Sequence, residues 1–156
     1  MIRTGWRLVP EDQAATPFDG EGARLYGGRW NSVGVPMVYA SEHQSLAALE
    51  VRVHIDRTRM RKLYTCFAFQ FDEQWMEVFR VGALPKGWMQ EPPPQALQCL
   101  GDNWVKSRAS VILAVPSVVI PKELNYLINP KHPDFAKLKI EKPTDFAFDQ
   151  RLFQSR

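Results

Sequence analysis

The sequence predicts a mixed α+β domain with a mainly antiparallel sheet and short helices. Strand-like and helix-like segments follow one another without the regular βαβ alternation of a doubly wound fold. Some runs alternate residue sets at period two, and others repeat apolar positions at helical spacing. The chain has 156 residues, 45% of them hydrophobic. That is enough for one core and short for two, so a single domain over residues 1–156 is expected.

Met37 to Ala40, after Gly34 and Pro36, reads as a short strand. Ser41 then stands as an N-cap with Gln44 three residues on, a capping-box pattern, and opens a helix from about Glu42 to His54. On a 3.6-residue period Leu46, Leu49 and Val53 share one stripe, and Glu50, a turn after Leu46, lands beside them. Leu63 to Phe71 sets Leu63, Phe67, Phe69 and Phe71 against Tyr64, Cys66 and Gln70, as a strand does, and Met76 to Arg80 extends that sheet. Pro92-Pro93-Pro94 marks a stiff connection inside the domain. Leu97, Leu100, Trp104 and Val105 give Gln95 to Lys106 helical spacing. Ser110 to Ile120 is a β-branched run that Pro116 splits, leaving Ser117 at a bend. The tail reads as a loop from Asn125 to Pro133, a short helix after Pro133, and two late strands near Leu138 to Ile140 and Asp145 to Leu152.

Composition excludes several function classes. A net charge of +3 and a pI near 9.0 suit an anionic ligand but fall short of a dedicated nucleic-acid binder. Cys66 and Cys99 lie far apart with no CxxC spacing, which argues against a zinc site or disulfide framework and for a reducing cytoplasm. The N-terminal MIRTGWRLVP has no long apolar core, and the runs Val111 to Val115 and Val118 to Ile120 are broken by prolines, so neither a secretory signal nor a membrane span is expected. His43, His54 and His132 show no HExxH or similar ligand spacing, and no metal is expected. Neither a Walker sequence nor a GxGxxG fingerprint occurs.

Glu50 is the residue whose placement asks for a reason, because an acid among core-facing positions has either a paired cation or a chemical role. Two readings stand for it: a structural ion pair with Arg29 or Arg7, or chemistry. Arg29 follows Gly27 and Gly28, which let the backbone turn tightly, and its planar fork suits phosphate oxygens; a plain turn with a solvated arginine is the alternative. Tyr39 either stacks on a planar ring or fills a core gap with its hydroxyl paired. Ser117 lacks a GxSxG context and is a weak nucleophile candidate. Arg57, Arg59, Arg61 and Lys62 form either a nucleic-acid contact or a solvated turn.

Four blocks together resemble the RES-domain family, the toxin half of bacterial toxin-antitoxin systems. They are WRL at Trp6 to Leu8, GARLYGGRWNSVGVPMVYAS from Gly22 to Ser41, SLAALEVRVH from Ser45 to His54, and PSVVIPKELNYLINPKHP from Pro116 to Pro133. The resemblance runs from about Arg3 to Leu152. It implies a fold like the ADP-ribosyltransferase toxins and an activity that destroys NAD at the nicotinamide-ribose bond, with water or inorganic phosphate accepting the ADP-ribosyl group. Transfer to a protein or nucleic acid is the alternative, and a non-catalytic nucleic-acid or protein-binding module is a third reading. NAD is then substrate, not cofactor. Arg29, Glu50 and Ser117 would be the name-giving trio, with Arg7 and Tyr39 also in the cleft. Glu50 would stabilise an oxocarbenium-like transition state. Arg29 and Arg7 would hold the pyrophosphate or ribose edge, Tyr39 would position the nicotinamide, and Ser117 and Asn129 would orient ligand or Glu50 or cap the loop. The implied partner is a Xre-type antitoxin that covers the cleft and carries any DNA contact, with the toxin a homodimer in that complex.

Overall fold

A computed structural model describes residues 1–56 and 63–154, and in it eight strands join one sheet. The strands are β1 Ile2–Pro10, β2 Val38–Ser41, β3 Tyr64–Asp72, β4 Met76–Val78, β5 Ile112–Pro116, β6 Leu124–Ile128, β7 Lys139–Ile140 and β8 Thr144–Phe146. The helices are α1 Glu21–Tyr26, α2 Gln44–Arg52 and α3 Gln95–Ser107. The strand order is β4-β5-β6-β2-β1-β3-β7, with β8 also pairing β3. Every pair is antiparallel except β4 with β5. The fold is therefore a mixed α+β domain, as the unalternating element pattern predicts.

Both faces of the sheet are buried, and alternation along each strand sorts the side chains between them. One face carries Ile112 and Ala114 of β5, Tyr126 and Ile128 of β6, Val38 and Ala40 of β2, Val9 of β1 and Phe67, Phe69 and Phe71 of β3, packed with Phe18 and Leu138. The Phe71 and Tyr126 rings meet at 5.3 Å, edge to face, although β1 and β2 lie between their strands. In a flat sheet those strands would stand about 14 Å apart, at roughly 4.8 Å per step. The sheet curls toward this face. The opposite face is covered in two places: α3 with Trp30, Trp88 and Trp104 over Leu113, Val115 and Leu127, and α2 with Phe148 and Phe153 over Leu8, Tyr64 and Cys66.

The structure corrects several sequence expectations. Ser41 ends β2 rather than capping a helix; His43 holds the N-cap position of α2 without a side-chain cap bond. That helix stops at Arg52, and Val53 is 56% exposed instead of joining the Leu46 stripe. Leu63 lies outside β3 and is likewise 56% exposed, and β3 buries both its faces because α2 and the tail cover the side holding Tyr64 and Cys66. Met76–Val78 joins the sheet at its far edge, beside β5, not next to β3. Residues 125–128 are strand, not loop. The tail strand covers only Thr144–Phe146, and Gln150–Phe153 is a 3-10 turn whose Asp149 cap accepts from Arg151 N. The basic cluster Arg57, Arg59, Arg61 and Lys62 lies outside the described residues. Among the described residues no helix is long and apolar enough to cross a membrane, and no group of three or more His, Cys, Asp or Glu could hold a metal ion.

Candidate active site

Between the α2 and α3 coverings, polar side chains gather on the face that holds Ser41. Ser41 is the register partner of Trp6 on one side and of Asn125 on the other, so these residues form one row across β1, β2 and β6. α2 begins three residues after β2 and lays Leu46 and Ala47 into the core, which turns Glu50 toward that row. Glu50 Oε1 accepts from Ser117 Oγ at 2.7 Å and from Asn125 Nδ2 at 2.5 Å. Ser41 Oγ in turn donates to Asn125 Oδ1 at 2.7 Å.

Pro116 ends β5, and Ser117 follows it fully buried. Its Oγ accepts from Val119 N and Ile120 N at 3.0 and 3.1 Å, closing the turn. With both acceptor directions occupied, its proton is directed to Glu50. Ser117 thus both caps a turn and binds the carboxylate. No cation among the described residues pairs with Glu50. The ion pair with Arg29 or Arg7 that the spacing left open is therefore not formed.

Arg29 is engaged elsewhere. Its Nη1 donates to Trp88 O and Gln90 O, both at 3.0 Å, and its Nη2 meets Glu91 Oε2 at 2.8 Å. The Arg29 side chain is 19% exposed, whereas that of Glu91 is 74% exposed. Gly27 takes φ +70°, which a side chain would strain, and a Cβ on Gly28 would stand 2.6 Å from the Tyr39 hydroxyl. The two glycines let the Arg29 loop lie against Tyr39.

Tyr39 is partly buried, and its hydroxyl accepts from Trp30 N at 3.0 Å and donates to Asn31 Oδ1 at 2.7 Å. Burial holds the phenol well above its usual pKa. Asn31, fully buried, ties the loop through Nδ2 to Ala23 O, Ser32 O and Val35 O. Tyr39 is thus the post to which the Arg29 loop is fastened.

Arg7 and Asn129 are not brought to the Glu50 cluster. Arg7 pairs with Phe67 across β1 and β3, so alternation puts it on the sheet face opposite Trp6 and Ser41. Its Nε donates to Pro17 O at 2.5 Å and its Nη1 to Tyr39 O at 2.7 Å. Burial pushes its pKa down to about 10, partly offset by Asp19. Asn129 lies past the far end of β6, where Oδ1 accepts from Lys131 N at 3.1 Å and Nδ2 reaches Val105 O at 3.4 Å; it caps the loop. Sequence reasoning missed Asn125, because LNYLI shows no alternation and Asn125 to Pro133 reads as loop. His132 is a satisfied structural histidine: Nδ1 accepts from Asp134 N, and Nε2 lies 3.0 Å from Arg108 O.

A family model described as the RES domain matches residues 4–149. The chain belongs to the RES-domain family. Curated relatives of this RES domain include a Sphingobium sp. (strain YBL2) protein named Prs ADP-ribosylating toxin, 35% identical over 159 residues and covering 99% of each chain. Another is Toxin Res of Yersinia enterocolitica, 34% identical over 148 residues, which spans 94% of this chain and 97% of the relative. Among solved structures, a chain of the M. tuberculosis MbcT-MbcA toxin-antitoxin complex superposes with a TM-score of 0.78 at 16% identity, covering 94% of this chain and 85% of that one. At that identity the likeness is one of fold. The RES domain's shared fold and its family membership thus rest on separate comparisons.

Proposed function

We propose that this RES domain is the toxin of a bacterial toxin-antitoxin system and acts as an enzyme that destroys NAD by cleaving the bond between nicotinamide and ribose. The observation that carries the reading is the uncompensated Glu50 carboxylate, held by two neutral donors on one oxygen and by no described cation. A carboxylate drawn among core-facing positions for structure alone is usually offset by a paired cation. One kept for chemistry retains its charge for a cation that appears during the reaction. Loss of nicotinamide develops positive charge on the ribose, and a fixed carboxylate beside it lowers the barrier. Relatives named as toxins, one of them ADP-ribosylating, are compatible with this reaction class.

In this reading NAD is substrate, and water or inorganic phosphate receives the ADP-ribosyl group. Arg29 grips the pyrophosphate once Glu91 yields its place, and Tyr39 sets the loop that carries Arg29. Arg7 holds β2 and the Pro17 turn in place rather than reaching the ligand. Ser117 orients Glu50, and Asn129 shapes the loop beyond β6. The chain works in the cytoplasm, as a single RES domain that pairs with a second copy. Its partner is a Xre-type antitoxin whose C-terminal region covers the cleft and whose own domain makes any DNA contact.

Incubation of the purified chain with labelled NAD, with and without phosphate, tests activity and acceptor together. Free ADP-ribose or its 1-phosphate is expected, and Glu50→Gln should abolish NAD loss while circular dichroism stays unchanged. Turnover that survives Glu50→Gln, or label retained on protein, would overturn the reading.

A further inference from the structure

The hydrogen bonds around Glu50 continue one residue beyond its own partners. Ser41 is 2% exposed and lies directly across the β2–β6 ladder from Asn125. Its hydroxyl donates to Asn125 Oδ1, and Asn125 Nδ2 donates to Glu50 Oε1. Ser117 is the second donor to that same oxygen. A carboxylate accepts at about four sites spread over two oxygens. Here both donors take Oε1, and no described residue donates to Oε2.

The two donors are aimed by different means. Ser117 has its lone pairs taken by Val119 N and Ile120 N, so only Glu50 is left for its proton. A side-chain amide has no such constraint. Turned over, Asn125 would present Oδ1 to the carboxylate, acceptor against acceptor. In the observed orientation Oδ1 points away from Glu50, and Ser41 supplies the donor it then needs. Backbone pairing supports the arrangement, because β6 is hydrogen-bonded on both sides, to β2 and to β5. A site carried on interior strands holds its groups more closely than one carried on loops.

We propose that Ser41 and Asn125 are positioning residues for Glu50: Ser41 fixes the Asn125 amide, and Asn125 and Ser117 together saturate Oε1 and leave Oε2 as the oxygen that faces the developing positive charge. The proposal rests on the reading of Glu50 as the catalytic carboxylate. A purely structural role for this chain would be to satisfy polar groups trapped between β2, β6 and α2. That role gives no reason for two donors to converge on one oxygen, and it predicts a loss of stability without a specific loss of turnover.

The test compares Ser41→Ala, Ser41→Thr, Asn125→Asp and Glu50→Gln in the full chain. Two quantities are read: steady-state NAD cleavage, and the side-chain carboxyl 13C resonance of Glu50 in glutamate-labelled protein, assigned by its absence in Glu50→Gln. Ser41→Ala should lower kcat about tenfold with KM within about twofold, and Ser41→Thr, which keeps the hydroxyl, should restore it. Asn125→Asp replaces the donor with a carboxylate of the same size and should lower kcat about 100-fold or more. The Glu50 resonance should move in Ser41→Ala, although Ser41 does not touch Glu50, and return in Ser41→Thr. A Glu50 resonance unmoved by Ser41→Ala and Asn125→Asp overturns the proposal, as does a kcat loss that Ser41→Thr fails to restore. If Asn125→Asp does not fold, the Ser41 pair decides. If the parent chain consumes no NAD, the proposed function fails, and the resonance still decides the positioning claim.

Discussion

Glu50 and Arg7 are both charged groups drawn out of solvent, and their partners separate their roles. Glu50 takes its bonds from side-chain donors and leaves one oxygen without a described donor, whereas Arg7 spends Nε and Nη1 on backbone carbonyls of two separate segments. Lysine offers a point charge where arginine offers a planar fork, so a single ammonium would have to replace two nitrogens aimed at separate carbonyls. Arg7→Lys should therefore cost about 2–3 kcal/mol in urea denaturation, from a buried carbonyl left without its charged donor, while KM for NAD changes little. An unchanged stability with a raised KM would instead make Arg7 a ligand contact. Ser117→Ala removes a donor to Glu50 and the acceptor for two backbone N–H groups at once. It should lower kcat about 10- to 100-fold and stability by about 1–2 kcal/mol. Glu50→Gln, which leaves the turn intact, should lose turnover without that stability change.

At the scale of elements, α2, β2 and the bend at Ser117 were legible because local signals agree there: helical spacing around Leu46, a strand after Gly34, and Pro116 closing a β-branched run. β6 was not. Its LNYLI lies between Pro121 and Pro130 and buries Tyr126, Leu127 and Ile128 in succession, so no polar face marks it as a strand. Missing β6 meant missing Asn125, whose bonds to Glu50 and to Ser41 both depend on its place in that strand. β1 was hidden by Arg3 and Arg7, which break the apolar pattern and are matched only by tertiary partners. The Arg29–Glu91 pair joins residues 62 apart in sequence, and no local pattern announces such a contact. That pair gives the segment around Trp88 to Glu91 a testable part in binding. An exposed ion pair contributes about 0.2–1 kcal/mol, and in the proposed reading a ligand anion at Arg29 takes the place of the Glu91 carboxylate. Glu91→Gln should thus lower KM for NAD roughly 1.5- to 5-fold, with kcat unchanged and a weaker dependence of KM on salt. A raised KM would mean that Glu91 shapes the site rather than competing for it. α3 supports the same loop from the other side, where a Cβ on Gly101 would lie 1.7 Å from Trp30 O. Gly101→Ala must push the Arg29 loop off α3, with an expected cost of about 1–3 kcal/mol or more in thermal and urea unfolding and a raised KM.

On the scale of the whole molecule, the curl of the sheet lets a short chain enclose a core and still present a polar row on its other face. One buried cluster runs from β5 to β3 on the curled side, with Phe18 set edge-on to Phe67 and Phe69 as its wedge. The row through Ser41 and Asn125 lies on the opposite side, between the parts that α2 and α3 cover. Curling and site are therefore linked: flattening the sheet would spread β1, β2 and β6 and loosen the row that aims Glu50. The contact that reports the curl is Phe71 against Tyr126, since their strands are not neighbours. A double-mutant cycle with Phe71→Leu and Tyr126→Leu measures it. Each single change should destabilise by about 1–3 kcal/mol, since most of the apolar volume remains. The coupling should be about 0.5–1.5 kcal/mol, the range for an edge-to-face aromatic pair. Strictly additive losses would mean that the rings do not meet in solution. Turnover in the same variants adds a second reading, because a curl that holds the row in place makes kcat fall in step with the lost coupling.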